Sequence, residues 1–138
     1  MTRYFIVLPE AISLLFKAAE LSVGGEIFVM RMPSYRIYDV AQVLIEASGI
    51  QNVEIKEIGM RPGEKIDEVL VSEYEAGHTF NYDSHYYIIM PTIKLPDPEA
   101  HYSMANLVKV DFNKYTSADH ILDKDEVKVL LQKGNYLP

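Results

Sequence analysis

The sequence has no cysteine and no tryptophan. Without cysteine there is no disulfide, no thiolate metal ligand and no cysteine nucleophile. No apolar run is long enough to cross a bilayer. The N-terminus lacks the basic start and small-residue cleavage site of a secretion signal. The expected location is therefore the cytoplasm, with no membrane partner. Positive charge is scarce too: 13 Lys and Arg stand against 20 Asp and Glu, a net charge of −7. That balance excludes a duplex-binding surface built on phosphate neutralisation. It does not exclude a small phosphate ligand, which one or two well-placed arginines can hold. Several motifs are missing as well: there is no G-x-G-x-x-G, no G-x-x-x-x-G-K-[ST] and no nucleophile elbow. None of the ten tyrosines has a lysine four residues later, the pair that reductase-type enzymes use to move a proton. The four histidines, His78, His85, His101 and His120, show no spacing of three or four, so a zinc site is not expected. DFNKYT, residues 111–116, lacks the glycine and glutamate that a calcium loop needs. The residues alone define no catalytic constellation.

What is present is enough for a core. The chain has 138 residues, 49% of them apolar, the size of one domain spanning residues 1–138. TRYFIVL, 2–8, reads as a short extended entry, and Pro9 suits the first turn of a helix. Ile12, Leu15, Phe16 and Ala19 follow helical spacing and define one buried stripe, closed by Gly24 and Gly25. EIFVM, 26–30, reads as a strand. A second helix covers roughly 38–48, with Val40, Val43, Leu44 and Ala47 facing inward and Gly49 closing it. VEIKEI, 53–58, alternates like a strand. Ser72 with Glu75 has capping-box spacing for one short turn, and YYIIM, 86–90, reads as a buried strand. The prolines of 91–114 favour an ordered loop. Asp123 with Glu126 opens a last helix over 124–133, stopped by Gly134. These elements predict an α+β fold of a few short strands and three main helices.

After the 53–58 segment comes GMRPGEK, 59–65. Pro62 and Gly63 make a turn, and a solvated turn alone would account for the charges around it. The other reading is chemical. Arg61 forks onto a phosphate while the turn aims it, and Glu64 accepts from a hydroxyl such as a ribose. One such arginine contact contributes about 1.5–3 kcal/mol, enough to orient a ligand but not to hold it alone.

MTRYFIVLPEA, GGEIFVMRMPS, the helix with DVA, and IGMRPGEKIDEVLVSE occur in this order. Together they resemble the C-terminal portion of the CapD-like polysaccharide biosynthesis proteins. These are extended short-chain dehydrogenase/reductase enzymes acting on UDP-N-acetylhexosamines as 4,6-dehydratases or 4-epimerases. YDSHYYIIMP and YTSADHILDKDEVKVLL extend the resemblance over nearly the whole chain. It implies that Arg61 contacts the UDP diphosphate, that Glu64 lies near the uridine ribose, and that Arg3 is a second phosphate-contacting arginine. Lys65 is expected to pair with a nearby carboxylate. The family's NAD(P)-binding Rossmann half, with its glycine fingerprint and Tyr-x-x-x-Lys pair, has no counterpart here. The resemblance therefore implies a substrate-side half that binds a UDP-sugar weakly, binds no cofactor and is not competent alone. It also implies that the apolar faces of the 9–21 helix and the 26–30 strand are left uncovered, so the chain is expected to form a homo-oligomer or to meet a Rossmann-domain partner. Two alternatives stand beside this reading: a non-enzymatic interaction subunit that keeps the fold, and one half of a split enzyme completed in trans.

Overall fold

The computed structural model describes residues 1–93, Tyr102 and residues 107–137. Among them are eight short strands and four helices, in the order β1 (Thr2–Tyr4), α1 (Leu8–Leu21), β2 (Ile27–Met30), β3 (Ser34–Arg36), α2 (Ile37–Ser48), β4 (Val69–Val71), α3 (Glu73–Ala76), β5 (Thr79–Asn81), β6 (Tyr86–Ile89), β7 (Val108–Lys109), β8 (Tyr115–Thr116) and α4 (Lys124–Lys133). The fold is α+β, with α1, α2 and α4 as its three main helices. The chain forms two compact units. One comprises Met1–Phe5, Pro33–Glu68 and Ser117–Pro138, and the other Ile6–Met32 and Val69–Thr116.

In the first unit β1 and β3 pair antiparallel, with Thr2 opposite Arg36 and Tyr4 opposite Ser34. The chain runs from β3 straight into α2, so Arg36 both ends the strand and caps the helix. Gly49 ends α2 at φ 65°, a left-handed conformation that glycine adopts without cost. Val43 of α2 meets Val127 and Leu131 of α4, and Phe5, Tyr35, Val40, Leu122 and Leu137 pack around them. α4 begins where expected. Asp123 accepts from the Glu126 N–H at 2.9 Å, and the Glu126 carboxylate accepts from the Asp123 N–H at 2.8 Å, a complete capping box.

Two expectations fail in this unit. Leu44 is not on the inner face of α2 but 44% exposed. Asp39 and Val43 point inward, and Leu44 lies about 100° further round the helix than Val43. The 53–58 segment is not a strand. Among the described residues no strand pairs with it, and Val53, Ile55 and Ile58 are exposed. An alternating pattern makes a strand only where a neighbouring backbone completes the ladder.

In the second unit β2, β6, β5 and β7 form an antiparallel sheet in that order, with Ile27 opposite Ile89 and Thr79 opposite Ile89 on the other side. The central β6 is buried along its whole length, as its run of apolar residues demands. β4 and β8 form a second, two-stranded ladder. Ser72 and Glu75 form the expected capping box at α3. Residues 94–101 and 103–106, part of the loop expected over 91–114, lie outside the described residues; the rest of that span holds β7, which pairs with β5.

The stripe of α1 was expected to be buried. The helix is there, but Leu15 and Phe16 are 70% and 73% exposed, and α1 buries no residue. Among the described residues, the cluster of Ile88, Met90 and Tyr102 with Phe28, Phe80, Tyr82 and Leu107 around them includes no α1 residue. The stripe is uncovered, in line with the resemblance. Among the described residues no helix is long and apolar enough to cross a membrane.

Candidate functional site

The geometry of residues 59–64 follows from their sequence. The Glu64 N–H donates to the Arg61 carbonyl at 3.0 Å, closing a four-residue turn with Pro62 and Gly63 at its centre. Gly63 has φ 81°. Proline then a left-handed glycine is the pattern of a type II turn. Gly59, at φ 76°, makes the other bend. No atom lies within 4 Å of where a Cβ would sit on either glycine, so φ, not crowding, requires glycine at both. The Glu64 carboxylate reaches back and accepts from the Arg61 N–H at 3.0 Å. The turn is thus closed from both ends, and the side chain of Arg61 is held out from it.

That side chain is exposed and makes no ion pair among the described residues. It borders an open groove of about 720 Å³ formed within the first unit. It is lined by the turn segment, with Met60, Arg61 and Glu64, and by the start of α2, with Arg36, Ile37 and Tyr38. Glu57 and Ile58 complete the segment side. The groove therefore offers two guanidinium groups, two carboxylates, one phenol and an apolar surface. Such a set can neutralise an anion, accept from hydroxyls and cover a flat ring.

Arg61 and Glu64, both singled out in the sequence, are brought together at this groove. Arg3 is not part of its lining. Its guanidinium donates to the Thr2 carbonyl at 2.6 Å, the Ile66 carbonyl at 3.2 Å and the Lys65 carbonyl at 3.0 Å, and its Nε lies 3.4 Å from Glu68. The Thr2 N–H donates to Ile66 as well, at 2.9 Å. Arg3 thus ties the exit of the turn segment to β1. Nearby, the fully buried Ser117 hydroxyl lies 2.6 Å from that of Thr2 and accepts from the Glu68 N–H at 2.8 Å, while Thr2 also donates to Asp67 at 2.6 Å. Lys65 was expected to pair with a carboxylate. Among the described residues it makes no ion pair, and its part in the segment is the carbonyl that Arg3 holds. Sequence reasoning missed Arg36 and Tyr38. The 38–48 helix was visible, but nothing in its periodicity says that its first turn lines one groove with residues 57–64.

A family model described as polysaccharide biosynthesis protein matches residues 1–90. An uncharacterized membrane protein of Methanocaldococcus jannaschii is 36% identical over 99% of this chain and 40% of its own length. A UDP-N-acetylglucosamine 4,6-dehydratase (inverting) of Campylobacter jejuni is 36% identical over 75% of this chain and 29% of its own length. A UDP-glucose 4-epimerase of Rickettsia felis is 33% identical over 99% of this chain and 40% of its own length. Among solved structures, Pen from Bacillus thuringiensis superposes with a TM-score of 0.80 at 28% identity, over 99% of this chain and 39% of that one. The chain spans 29–40% of the length of these relatives.

Proposed function

The chain belongs to the polysaccharide biosynthesis protein family, and from that premise we propose that it is the sugar-nucleotide-binding part of a UDP-N-acetylhexosamine 4,6-dehydratase or 4-epimerase. A relative named as a UDP-N-acetylglucosamine 4,6-dehydratase and another named as a UDP-glucose 4-epimerase support a nucleotide-sugar ligand and leave the choice between the two reactions open. The observation that carries the proposal is Arg61 and Glu64 at one groove, the cation unpaired among the described residues and the turn closed on both sides. In this reading the Arg61 fork takes the diphosphate. Glu64, with one carboxylate oxygen on the Arg61 N–H, turns the other toward a ribose hydroxyl. Tyr38, Ile37 and Met60 offer apolar surface for the base or sugar. Arg3 acts by holding the segment in place, and one N–H of its fork remains for a phosphate.

The dehydratase and epimerase reactions implied by the resemblance are redox chemistry that bound NAD(P) would supply. The residues of this chain do not fit that cofactor. Its left-handed glycines, Gly24, Gly25, Gly49, Gly59 and Gly63, include none at a turn from a strand into a helix, where a dinucleotide pyrophosphate is cradled. The chain also lacks a Tyr-x-x-x-Lys pair. No chemical step is therefore assigned to it alone, and its role is to anchor and orient the nucleotide.

Titration with UDP followed by backbone amide shifts tests this. Shifts at residues 59–64 and at the start of α2 are expected. Arg61→Ala should weaken binding about tenfold or more, the loss of one charge-assisted contact. No response of the folded protein at millimolar UDP would overturn the proposal. A second reading, a non-enzymatic interaction subunit, rests on the uncovered face of α1. It is favoured if nucleotide binding is absent while a stable complex forms through that face.

A further inference from the structure

We infer that Thr2 and Ser117 are positioning residues for the groove: their hydroxyls form one directed hydrogen-bond chain that locks the exit of the turn segment to β1. The inference rests on the sugar-nucleotide reading of that groove, because it gives the chain a part in UDP affinity. The direction of the chain follows from its ends. A carboxylate accepts and does not donate. The Thr2 hydroxyl therefore gives its only proton to Asp67, at 2.6 Å. At the other end the Glu68 N–H donates to the Ser117 oxygen at 2.8 Å. Between them the two hydroxyls lie 2.6 Å apart. With the Thr2 proton already committed, Ser117 is the donor there. The chain thus runs from the Glu68 N–H through Ser117 and Thr2 to the Asp67 carboxylate. It starts and ends on adjacent residues of one segment, and each hydroxyl both accepts and donates.

This loop joins three parts of the chain that are distant in sequence: β1, residues 67–68 and the residue after β8. Thr2 is 6% exposed and Ser117 fully buried, so these bonds act where the dielectric is low and each strengthens the next. Backbone bonds run alongside. The Thr2 N–H donates to the Ile66 carbonyl and the Ser117 N–H to the Glu68 carbonyl, both at 2.9 Å. Neither Thr2 nor Ser117 lines the groove. Both act through what they hold. β1 is tied to the other lining element as well. Thr2 stands opposite Arg36 of β3, and the Met1 carbonyl accepts from the Ile37 N–H at 3.1 Å. β1 is therefore the spacer between the turn segment and the start of α2, and the hydroxyl chain fastens one side of that spacer. Arg3, the next residue of β1, and Arg61 of the turn stand on the two pieces that the chain joins. A slack of about 1 Å between those pieces misplaces groups that a bound nucleotide must meet at once.

The test measures UDP affinity by amide-shift titration of the whole chain, with Thr2→Val, Thr2→Ser, Ser117→Ala and Thr2→Val combined with Ser117→Ala. Circular dichroism checks that each variant is folded, and thermal melts give the stability it has lost. Asp123→Ala, which removes a helix cap outside the hydroxyl chain, is the control for lost stability alone. Thr2→Val keeps the shape and removes the hydroxyl, and should weaken UDP about fivefold or more. Ser117→Ala should do the same, and the double variant should be no worse than either, because both cut one chain. Thr2→Ser keeps the hydroxyl and should bind within about twofold of wild type. Where Ser117→Ala does not fold, the two Thr2 variants decide. If folded Thr2→Val binds UDP like wild type, the positioning role is wrong and the sugar-nucleotide reading survives. If Asp123→Ala weakens UDP as much for the same loss of stability, or Thr2→Ser binds no better than Thr2→Val, the effect is a general softening of the fold. The inference is then overturned and the reading again survives. If the folded wild type binds no UDP, both fail together.

Discussion

Gly63 decides whether Arg61 is presented at all. At φ 81° an alanine meets no clash but a strained backbone, costing about 1 kcal/mol. Gly63→Ala is therefore expected to lower the melting temperature slightly and to weaken UDP binding more than so small a loss of stability would suggest. Calorimetry and titration on the same preparation check this. The turn itself was legible, because Pro-Gly between charged residues needs no tertiary context. That Lys65 makes no ion pair among the described residues while Arg3 grips the segment was not legible, since the grip depends on a strand more than sixty residues away in sequence. In the second unit, Asp83 shows how a single charge makes stability depend on pH. Burial alone would raise its pKa. The Lys17 ammonium 2.7 Å away and the His85 and Tyr86 N–H groups outweigh that and hold it below its ordinary value of 3.8. Lys17, which also lies 4.6 Å from the centre of the Tyr86 ring, is correspondingly raised above 10.5, chiefly by its hydrogen bond to Asp83. The stabilisation from Asp83 is fully present above pH 3.8 and is lost as the pH falls through the depressed value. Asp83→Asn should thus be less stable than wild type at neutral pH by up to about 1 kcal/mol, as for partly exposed ion pairs. The difference should shrink in acid, as paired urea melts across pH would show.

At the scale of elements, those that close on their own residues were read correctly. α3 and α4 both begin at capping boxes whose partners are three residues apart, so local sequence contains the whole interaction. Asp123→Ala removes the acceptor for the Glu126 N–H and should destabilise the first unit by about 1 kcal/mol, seen as a lower thermal midpoint. β6 was equally legible, because a run of apolar residues with no polar alternation suits only a strand covered on both faces. The 53–58 segment has the alternation of a strand and lacks the partner. Its Ile55 and Ile58 serve the groove instead. Helix α2 was found, but not the role of its first turn. The hydrophobic stripe identifies which face turns inward and says nothing about what a polar residue at the helix start looks toward.

For the whole molecule, the exposed apolar face of α1 is the feature that bears on association. Leu8, Leu15 and Phe16 are all at least 70% exposed, and β2 leaves one edge of its sheet unpaired among the described strands. Apolar helix faces and open strand edges promote association. We propose that the chain forms a homo-oligomer through this side. Sedimentation at tens of micromolar (roughly the range in which exposed faces associate) should show species larger than a monomer, and Leu15→Lys with Phe16→Lys should return them to monomer without loss of helix content. A monomeric wild type would dismiss the idea. The sequence by itself determined the α+β class, the capped helices, the buried strand and the Pro-Gly turn, because each depends on residues a few positions apart. Tertiary structure alone decided that Arg36 and Tyr38 share a groove with Arg61, that Arg3 holds the backbone beside it, and that the α1 stripe stays uncovered. Those are relations between distant segments, and no local pattern encodes what a side chain will face once the chain has closed.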